Sequence, residues 1–102
     1  MEPLPNSWAD IQPHTIYQAT NGLLISCSQS QIQLGIKYDQ KNKHLKAIEK
    51  GIVAPRGNIG LVPSGVEDYE LKSKVLGKGG DRRFHGKIID GVLYFPGFIT
   101  EH

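Results

Sequence analysis

The sequence has few of the features that define several common classes of protein. It contains a single cysteine, Cys27, so no disulfide can form within the chain, and we expect this side chain to be a small buried apolar group. No apolar run is long enough to span a membrane. The N-terminal residues lack the basic segment and the apolar core of a secretory signal. We therefore expect no disulfide scaffold, no membrane partner and a cytoplasmic site of action.

Motifs for metal or cofactor chemistry are also missing. The chain has no paired CxxC and no HxxxH ligand spacing, and the adjacent acids Glu67 and Asp68 do not form a cation cage. It has no GxSxG nucleophile elbow and no phosphate-binding glycine motif that opens a helix. These absences favour a reaction without a metal ion, and we expect no cofactor.

Length and composition indicate one small folded domain. A chain of 102 residues can bury a single core but not two. Its 38% of hydrophobic residues and 22% of charged residues are typical of a globular protein, not of a disordered one. We expect the proline-punctuated residues 1–13 to form an irregular N-terminal arm. Residues 14–102 are then a single α+β domain.

The strongest local signal is the dipeptide Asp90-Gly91. Between two β-rich runs it predicts a two-residue hairpin turn, because a type I′ turn needs positive φ at both central residues. With Tyr69–Leu76, the strands Arg82–Ile89 and Val92–Ile99 then form a three-stranded antiparallel meander. The predicted hairpin pairs are Ile89 with Val92, Ile88 with Leu93, Lys87 with Tyr94 and Gly86 with Phe95.

Alternation along this hairpin separates an apolar face from a polar one. We expect the apolar set to face the core; it consists of Phe84, Gly86, Ile88, Leu93 and Phe95. The opposite face carries the cations Arg83 and Lys87, the imidazole of His85 and the phenol of Tyr94. Near the turn it also carries Ile89 and Val92. Cations and an imidazole on one rigid face suit a phosphate ligand.

The rest of the chain predicts short strands and one helix. Thr15–Ala19 and Leu23–Ser28 have the composition of strands, and apolar residues alternate with polar ones over Gln31–Ile36 as in a half-buried strand. Asp39–Lys50 predicts a short basic helix, with Asp39 as its cap and a narrow apolar stripe of Leu45 and Ile48. A basic loop is the alternative for this segment.

Basic residues are concentrated in one part of the chain. All twelve Lys and Arg residues lie between Lys37 and Lys87, although the net charge is only +2. This segregation predicts one basic surface, which is the electrostatic footprint of a protein that binds a polyanion. An ordinary solvated surface is the alternative.

The candidate side chains suit metal-free cleavage of RNA, in which the substrate's own 2′-hydroxyl is the nucleophile. That reaction needs a base, an acid and cations that stabilise the charge on the phosphate. We expect His85 to be the acid or base, because an imidazole titrates near neutral pH. Glu70, Arg83 and Lys72 complete the predicted catalytic set, unless Glu70 and Lys72 form only a cross-strand ion pair. The predicted substrate-binding residues are Lys43, His44, Arg82, Lys87 and Tyr94.

Two segments resemble the C-terminal nuclease domains of bacterial polymorphic and contact-dependent toxins, of the barnase, EndoU, colicin and RelE superfamily. They are the basic stretch Lys41–His44 and the arrangement Tyr69–Phe95, read as YELK, then GGDRRFHGKI, DG and VLYF. The resemblance implies a small metal-free ribonuclease delivered as part of a larger toxin. It implies tRNA or another RNA as substrate and a cognate acidic immunity or antitoxin protein as partner. Its site would combine His85, Arg83, Glu70 and Lys72 with Lys43 and His44.

Two other classes of function fit the same sequence. One is a non-catalytic nucleic-acid-binding module, a small β-rich fold with a basic sheet face. The other is a protein-interaction or inhibitor module, which would bind no RNA. A ribonuclease would cleave RNA, a binding module would bind RNA without cleaving it, and a protein-interaction or inhibitor module would do neither.

Overall fold

A mixed sheet of seven strands, with two helices against one face, forms the protein in the computed structural model. The structure describes residues 2–20, 22–49, 59–63, 69–73 and 82–101. The strands are β1 (Glu2–Pro3), β2 (Tyr17–Gln18), β3 (Leu24–Cys27), β4 (Ile59–Pro63), β5 (Tyr69–Ser73), β6 (Arg82–Ile89) and β7 (Val92–Glu101). The helices are α1 (Gln29–Tyr38) and α2 (Lys43–Ile48). Neither helix is long and apolar enough to cross a membrane, nor is any other described segment that is helical.

The strand order is β1-β2-β3-β7-β6-β5-β4. Strands β4 to β7 are successive antiparallel neighbours, so the predicted C-terminal meander is present and continues to β4. Strand β3 pairs with β7 in parallel, which joins the N-terminal strands to the meander. The predicted α+β class and single small domain are confirmed.

The hairpin turn is where the sequence predicts it. Asp90 and Gly91 have φ of 50° and 78°, as a type I′ turn requires. The first three predicted pairs, from Ile89 with Val92 to Lys87 with Tyr94, are confirmed.

The fourth predicted pair, Gly86 with Phe95, is wrong because β7 contains a bulge. After Lys87 pairs with Tyr94, the next pair is His85 with Phe98, so one residue of β6 lies opposite three residues of β7. Pro96 has no N–H for the ladder, and Gly97 has φ of 98°, both of which favour a bulge. Because two residues are inserted, side chains beyond the bulge keep their faces.

The bulge is tied to the start of α1. Ser28 donates its backbone N–H to the Phe95 carbonyl at 3.0 Å and its hydroxyl to the Pro96 carbonyl at 2.8 Å. The same hydroxyl accepts the N–H of Gln31 at 3.0 Å and so caps the helix. One serine therefore fixes both the bulge and the helix N-terminus.

The strand predicted over Gln31–Ile36 is wrong, since these residues lie within α1. Buried positions Gln31, Ile32 and Gly35 follow a helical spacing, whereas Ile36 is 50% exposed. A Cβ at position 35 would overlap the indole ring of Trp8, so the glycine permits close packing there. The Ser28 cap and this contact outweigh the alternating pattern.

The predicted basic helix is present but shorter, as α2. Its stripe of Leu45 and Ile48 is buried, as expected. The predicted cap, Asp39, accepts the backbone N–H groups of Lys43 at 2.9 Å, His44 at 2.9 Å and Leu45 at 3.2 Å. The predicted C-terminal end of this helix, near residue 50, lies outside the described residues.

A buried tryptophan links the N-terminal segment to Asp39. Trp8 donates its indole N–H to the Asp39 carboxylate at 2.8 Å and meets the Phe84 ring edge-on at 5.9 Å. Burial acts to raise the pKa of Asp39, but interactions with His44 and Trp8 outweigh it and hold that pKa below its ordinary value. Residues 2–13 contain only β1 and a turn of 3₁₀ helix, yet Leu4, Trp8 and Ile11 belong to the core. The predicted N-terminal arm therefore packs into the core through these three side chains.

Candidate functional site

The face of β6 and β7 turned away from the helices carries four of the nine predicted site residues, and we call it the outer face. Phe84 is fully buried, and a Cβ at position 86 would meet Leu93 and Phe95, so these residues point toward the core as expected. Alternation then places the remaining residues on the outer face. Its members are Arg83, His85, Lys87, Tyr94, Phe98 and Thr100.

His85 lies on this face but is not exposed. Its Nε2 is 2.8 Å from the Thr100 hydroxyl, and the Phe98 ring stands edge-on to it at 5.4 Å between centroids. Only 1% of His85 is exposed. Phe98 and Thr100 of the neighbouring strand cover the imidazole.

The strand register places two predicted catalytic positions, Glu70 and His85, next to each other. Glu70 on β5 pairs with His85 on β6, and His85 pairs with Phe98 on β7. Paired strands lie about 5 Å apart, so these three positions form one row across the sheet. The next row along β6 pairs Arg83 with Thr100, about 7 Å away at two residues' distance.

The fourth predicted catalytic residue, Lys72, lies on the same strand as Glu70. Its register partner on β4 is Gly60. Strands β5 and β6 are antiparallel, and Glu70 pairs with His85. The step from Glu70 to Lys72 along β5 therefore runs toward the end of β6 that holds Arg83. Arg82, predicted to bind substrate, pairs with Glu101 at the end of the β6–β7 ladder.

Lys87 and Tyr94 form a further row of the outer face, on the other side of His85 from Arg83. Lys87 is exposed, and Tyr94 is half-buried beneath the ring of His14. The two rings are nearly parallel, with an interplanar angle of 22° and centroids 5.9 Å apart. The outer face therefore presents cations and aromatic rings in adjoining rows.

The helix α2 places the two remaining candidates on the wrong side of the sheet. His44 is fully buried, and its ring lies 5.0 Å from that of Phe84, a core residue. Lys43, at the start of the same helix, is exposed on the helix side. His44 is thus not a surface ligand for RNA, and α2 does not extend the outer face.

Charge does not gather on a single surface among the described residues. Exposed lysines of α2 lie on the helix side of the sheet, whereas Arg83 and Lys87 lie on the outer face. Basic residues whose side chains are described thus lie on two sides of the sheet, and for the others one basic surface stays a prediction. The segment that holds Lys50 to Lys78 is largely outside the described residues.

Two outer-face residues, Thr100 and Phe98, were not among the predicted site residues. Each follows Tyr94 by an even number of residues, so alternation continued along β7 is the signal for both. Across the described parts of the chain, no group of three or more His, Cys, Asp or Glu side chains is placed to hold a metal ion.

What the arrangement can do is bind an anion and move a proton beside it. A histidine hydrogen-bonded to a hydroxyl can exchange a proton with it, and Arg83 in the adjoining row supplies a fixed positive charge.

Comparison of the chain with protein-family models, with curated proteins and with solved structures found no match.

Proposed function

We propose that the protein is a metal-independent ribonuclease whose site lies on the outer face. The observation that supports it best is the row of Glu70, His85 and Phe98, with Arg83 and Thr100 in the next row. An acid, an imidazole and a guanidinium within two adjacent rows are the kinds of group that cleavage through a 2′-hydroxyl requires.

Each residue has a distinct part in the proposed reaction. The 2′-oxygen of the RNA attacks the neighbouring phosphorus and loses its proton to a base, while the 5′-oxygen leaves and gains a proton from an acid. His85 and Glu70 are the proposed acid–base groups. Arg83, with Lys72, stabilises the negative charge that develops on the phosphate oxygens. Thr100 holds the imidazole ring in place through its 2.8 Å hydrogen bond.

Substrate reaches His85 past Phe98. The Phe98 ring is 46% exposed and stands edge-on to the imidazole, and in this proposal its rotation admits the substrate. Exposed side chains change rotamer within nanoseconds, which is much faster than typical turnover. Phe98 also offers a base a ring on which to stack.

The proposed biological setting is that of a toxin. It is supported by the sequence resemblance in Lys41–His44 and Tyr69–Phe95. The substrate is then tRNA or another cellular RNA, and a cognate acidic immunity or antitoxin protein covers the cationic outer face. Growth arrest on expression that an acidic neighbouring gene product relieves is the expected result.

The test is degradation of labelled RNA by the full chain in excess EDTA. We expect cleavage by the wild type and a loss of at least about 100-fold in Arg83→Lys, since lysine keeps the charge but not the paired donors of the guanidinium. Thr100→Val keeps the shape and removes the hydroxyl, and we expect about a 10-fold loss from it. Both variants must show the circular dichroism and thermal unfolding of the wild type.

A matched pair of lysines controls for general charge. Lys87→Gln removes an exposed cation from the outer face, and Lys46→Gln removes one from the helix side. We expect only Lys87→Gln to weaken RNA binding. RNA that stays intact with the wild type, at enzyme in excess over RNA, would overturn the proposal.

A second candidate function is non-catalytic binding of nucleic acid. The observation that favours it is the burial of His85, which leaves Phe98, Tyr94 and Lys87 as the groups at the surface. Wild-type protein that binds single-stranded RNA at low salt and leaves it uncleaved would support this function. Failure to bind at low salt would leave the protein-interaction or inhibitor class.

A further inference from the structure

We infer that the outer face carries a separate subsite for one nucleobase of the RNA, at a pocket beside Tyr94; the inference rests on the proposed function. This pocket, which we call the Tyr94 pocket, has a volume of about 330 Å³. Its walls are the rings of His14 and Tyr94, three aliphatic side chains and a hydroxyl. The aliphatic and hydroxyl residues are Ile16, Ile89, Val92 and Ser26.

The pocket has the chemistry of a flat aromatic ligand. His14 and Tyr94 present nearly parallel rings, and apolar side chains surround them. Base–aromatic stacking tolerates any base, because every base has a π-face. Its size is at the low end of ligand pockets, which suits a single ring system. Ser26 and Asp90 add a hydroxyl and a carboxylate, which can pair with the polar edge of a base.

Two isoleucines of this pocket are exposed to an unusual degree. Ile16, just before β2, is 43% exposed, and Ile89, at the end of β6, is 46% exposed. Both line the same pocket, and exposed apolar side chains grouped in this way favour a binding site. The rows of cations beside it indicate a ligand that is both aromatic and anionic, which a nucleic acid is and an apolar peptide is not.

The backbone of His14 has an uncommon conformation and a fixed partner on β3. Its φ is 61°, in the left-handed region that non-glycine residues seldom adopt. Its N–H donates to the Cys27 carbonyl at 2.8 Å, which fixes the ring over β3 and β7. Backbone strain that the surrounding structure maintains is common at binding sites.

The spacing connects the pocket to the proposed catalytic rows. Tyr94 pairs with Lys87, and Lys87 lies two residues, about 7 Å, from His85 along β6. A strand of RNA whose phosphate lies near Arg83 and His85 can pass Lys87 and place a neighbouring base in the pocket. The subsite would position the RNA and would itself take no part in bond cleavage.

The experiment measures binding of a fluorescent 2′-O-methyl oligoadenylate, which lacks the nucleophile and therefore stays uncleaved. His14→Asn removes the ring and keeps a residue that tolerates positive φ. Ile16→Ser removes part of the pocket wall, and its matched control is Ile36→Ser, an exposed isoleucine on α1. We expect a loss of affinity of about 10-fold for each pocket variant and none for the control.

A series of oligonucleotides, each with one abasic position, identifies the base. We expect one position whose loss weakens wild-type binding as much as His14→Asn does, and the two changes together weaken it no further. Equal affinity of wild type, His14→Asn and Ile16→Ser overturns the subsite and leaves the ribonuclease proposal intact. An equal loss of affinity in the control Ile36→Ser likewise overturns the subsite. Wild type that neither binds this oligonucleotide nor cleaves RNA overturns both.

Discussion

Asp39 is the residue whose replacement tests most sharply how the N-terminal segment and α2 are held to the sheet. Its carboxylate accepts four N–H groups, from Trp8 at 2.8 Å and from the first residues of α2, Lys43, His44 and Leu45. Asp39→Asn keeps the size and replaces one acceptor oxygen with a donor. In aspartate, Oδ2 accepts three of the four N–H groups and Oδ1 accepts that of Lys43. If the amide oxygen of asparagine takes the Oδ2 position, its nitrogen faces the N–H of Lys43, which then has no acceptor.

The expected loss follows from that geometry. Removing charge from a carboxylate that accepts several bonds, and leaving one donor unpaired, costs about 3 kcal/mol. Since a domain of this size unfolds with about 5–15 kcal/mol, the loss is a large part of its stability and lowers Tm by roughly 10–20 °C. The control is Asp10→Asn, a substitution of an exposed aspartate in the neighbouring 3₁₀ turn, which we expect to change little.

The pH dependence gives a second readout. Because the pKa of folded Asp39 lies below its ordinary value of 3.8, the stability it contributes is complete above that pH. It is lost as pH falls through the folded pKa. Urea unfolding followed by Trp8 fluorescence at several pH values should show that Asp39→Asn removes part of the acid destabilisation. Equal stability of Asp39→Asn and Asp10→Asn at neutral pH would refute the reasoning.

Three further predictions concern other parts of the molecule. Burial raises the pKa of the Cys27 thiol to about 12, so it should resist thiol reagents at about pH 8 until denaturant unfolds the chain; rapid native-state labelling would contradict its burial. Gly35→Ala should lower the free energy of unfolding by about 3 kcal/mol, because the new Cβ overlaps Trp8, whereas the exposed Gln33→Ala should not. The salt dependence of RNA binding should fall by about one phosphate contact in Lys87→Gln and remain unchanged in Lys46→Gln.

The parts of the fold that follow from local rules were predictable. Asp90-Gly91 determines a turn type, and the turn determines both the register near it and the face of each hairpin side chain. The bulge was also signalled, since Pro96 and Gly97 are poor residues for the middle of a strand, but the sequence does not say how many residues a bulge inserts.

Long-range contacts decided the parts that were not predictable. The pattern over Gln31–Ile36 favours a strand, and it is the contact between Gly35 and Trp8 that selects the helix. His44 lies in a run of charged residues, and only the packing of α2 against Phe84 buries it. His14 lies eighty residues before Tyr94, and only the parallel pairing of β3 with β7 brings their rings together.

The sheet positions of Glu70, His85 and Arg83 were predicted together because they depend only on strand pairing. The burial of His85 was not, because it depends on Phe98 and Thr100 beyond the bulge. Strand pairing can thus be predicted from sequence, whereas the exposure of a side chain is decided by the neighbouring strand.

The most direct test of the central claim is the fate of one RNA that carries a single 2′-deoxy substitution at a mapped cleavage position. We predict that wild-type protein in EDTA cleaves the all-ribose RNA to a 2′,3′-cyclic phosphate and a 5′-hydroxyl end. The substituted RNA should stay intact at that position, because the nucleophilic oxygen is missing. Cleavage at the deoxy position, or no cleavage of either RNA by an excess of folded protein, would contradict the account.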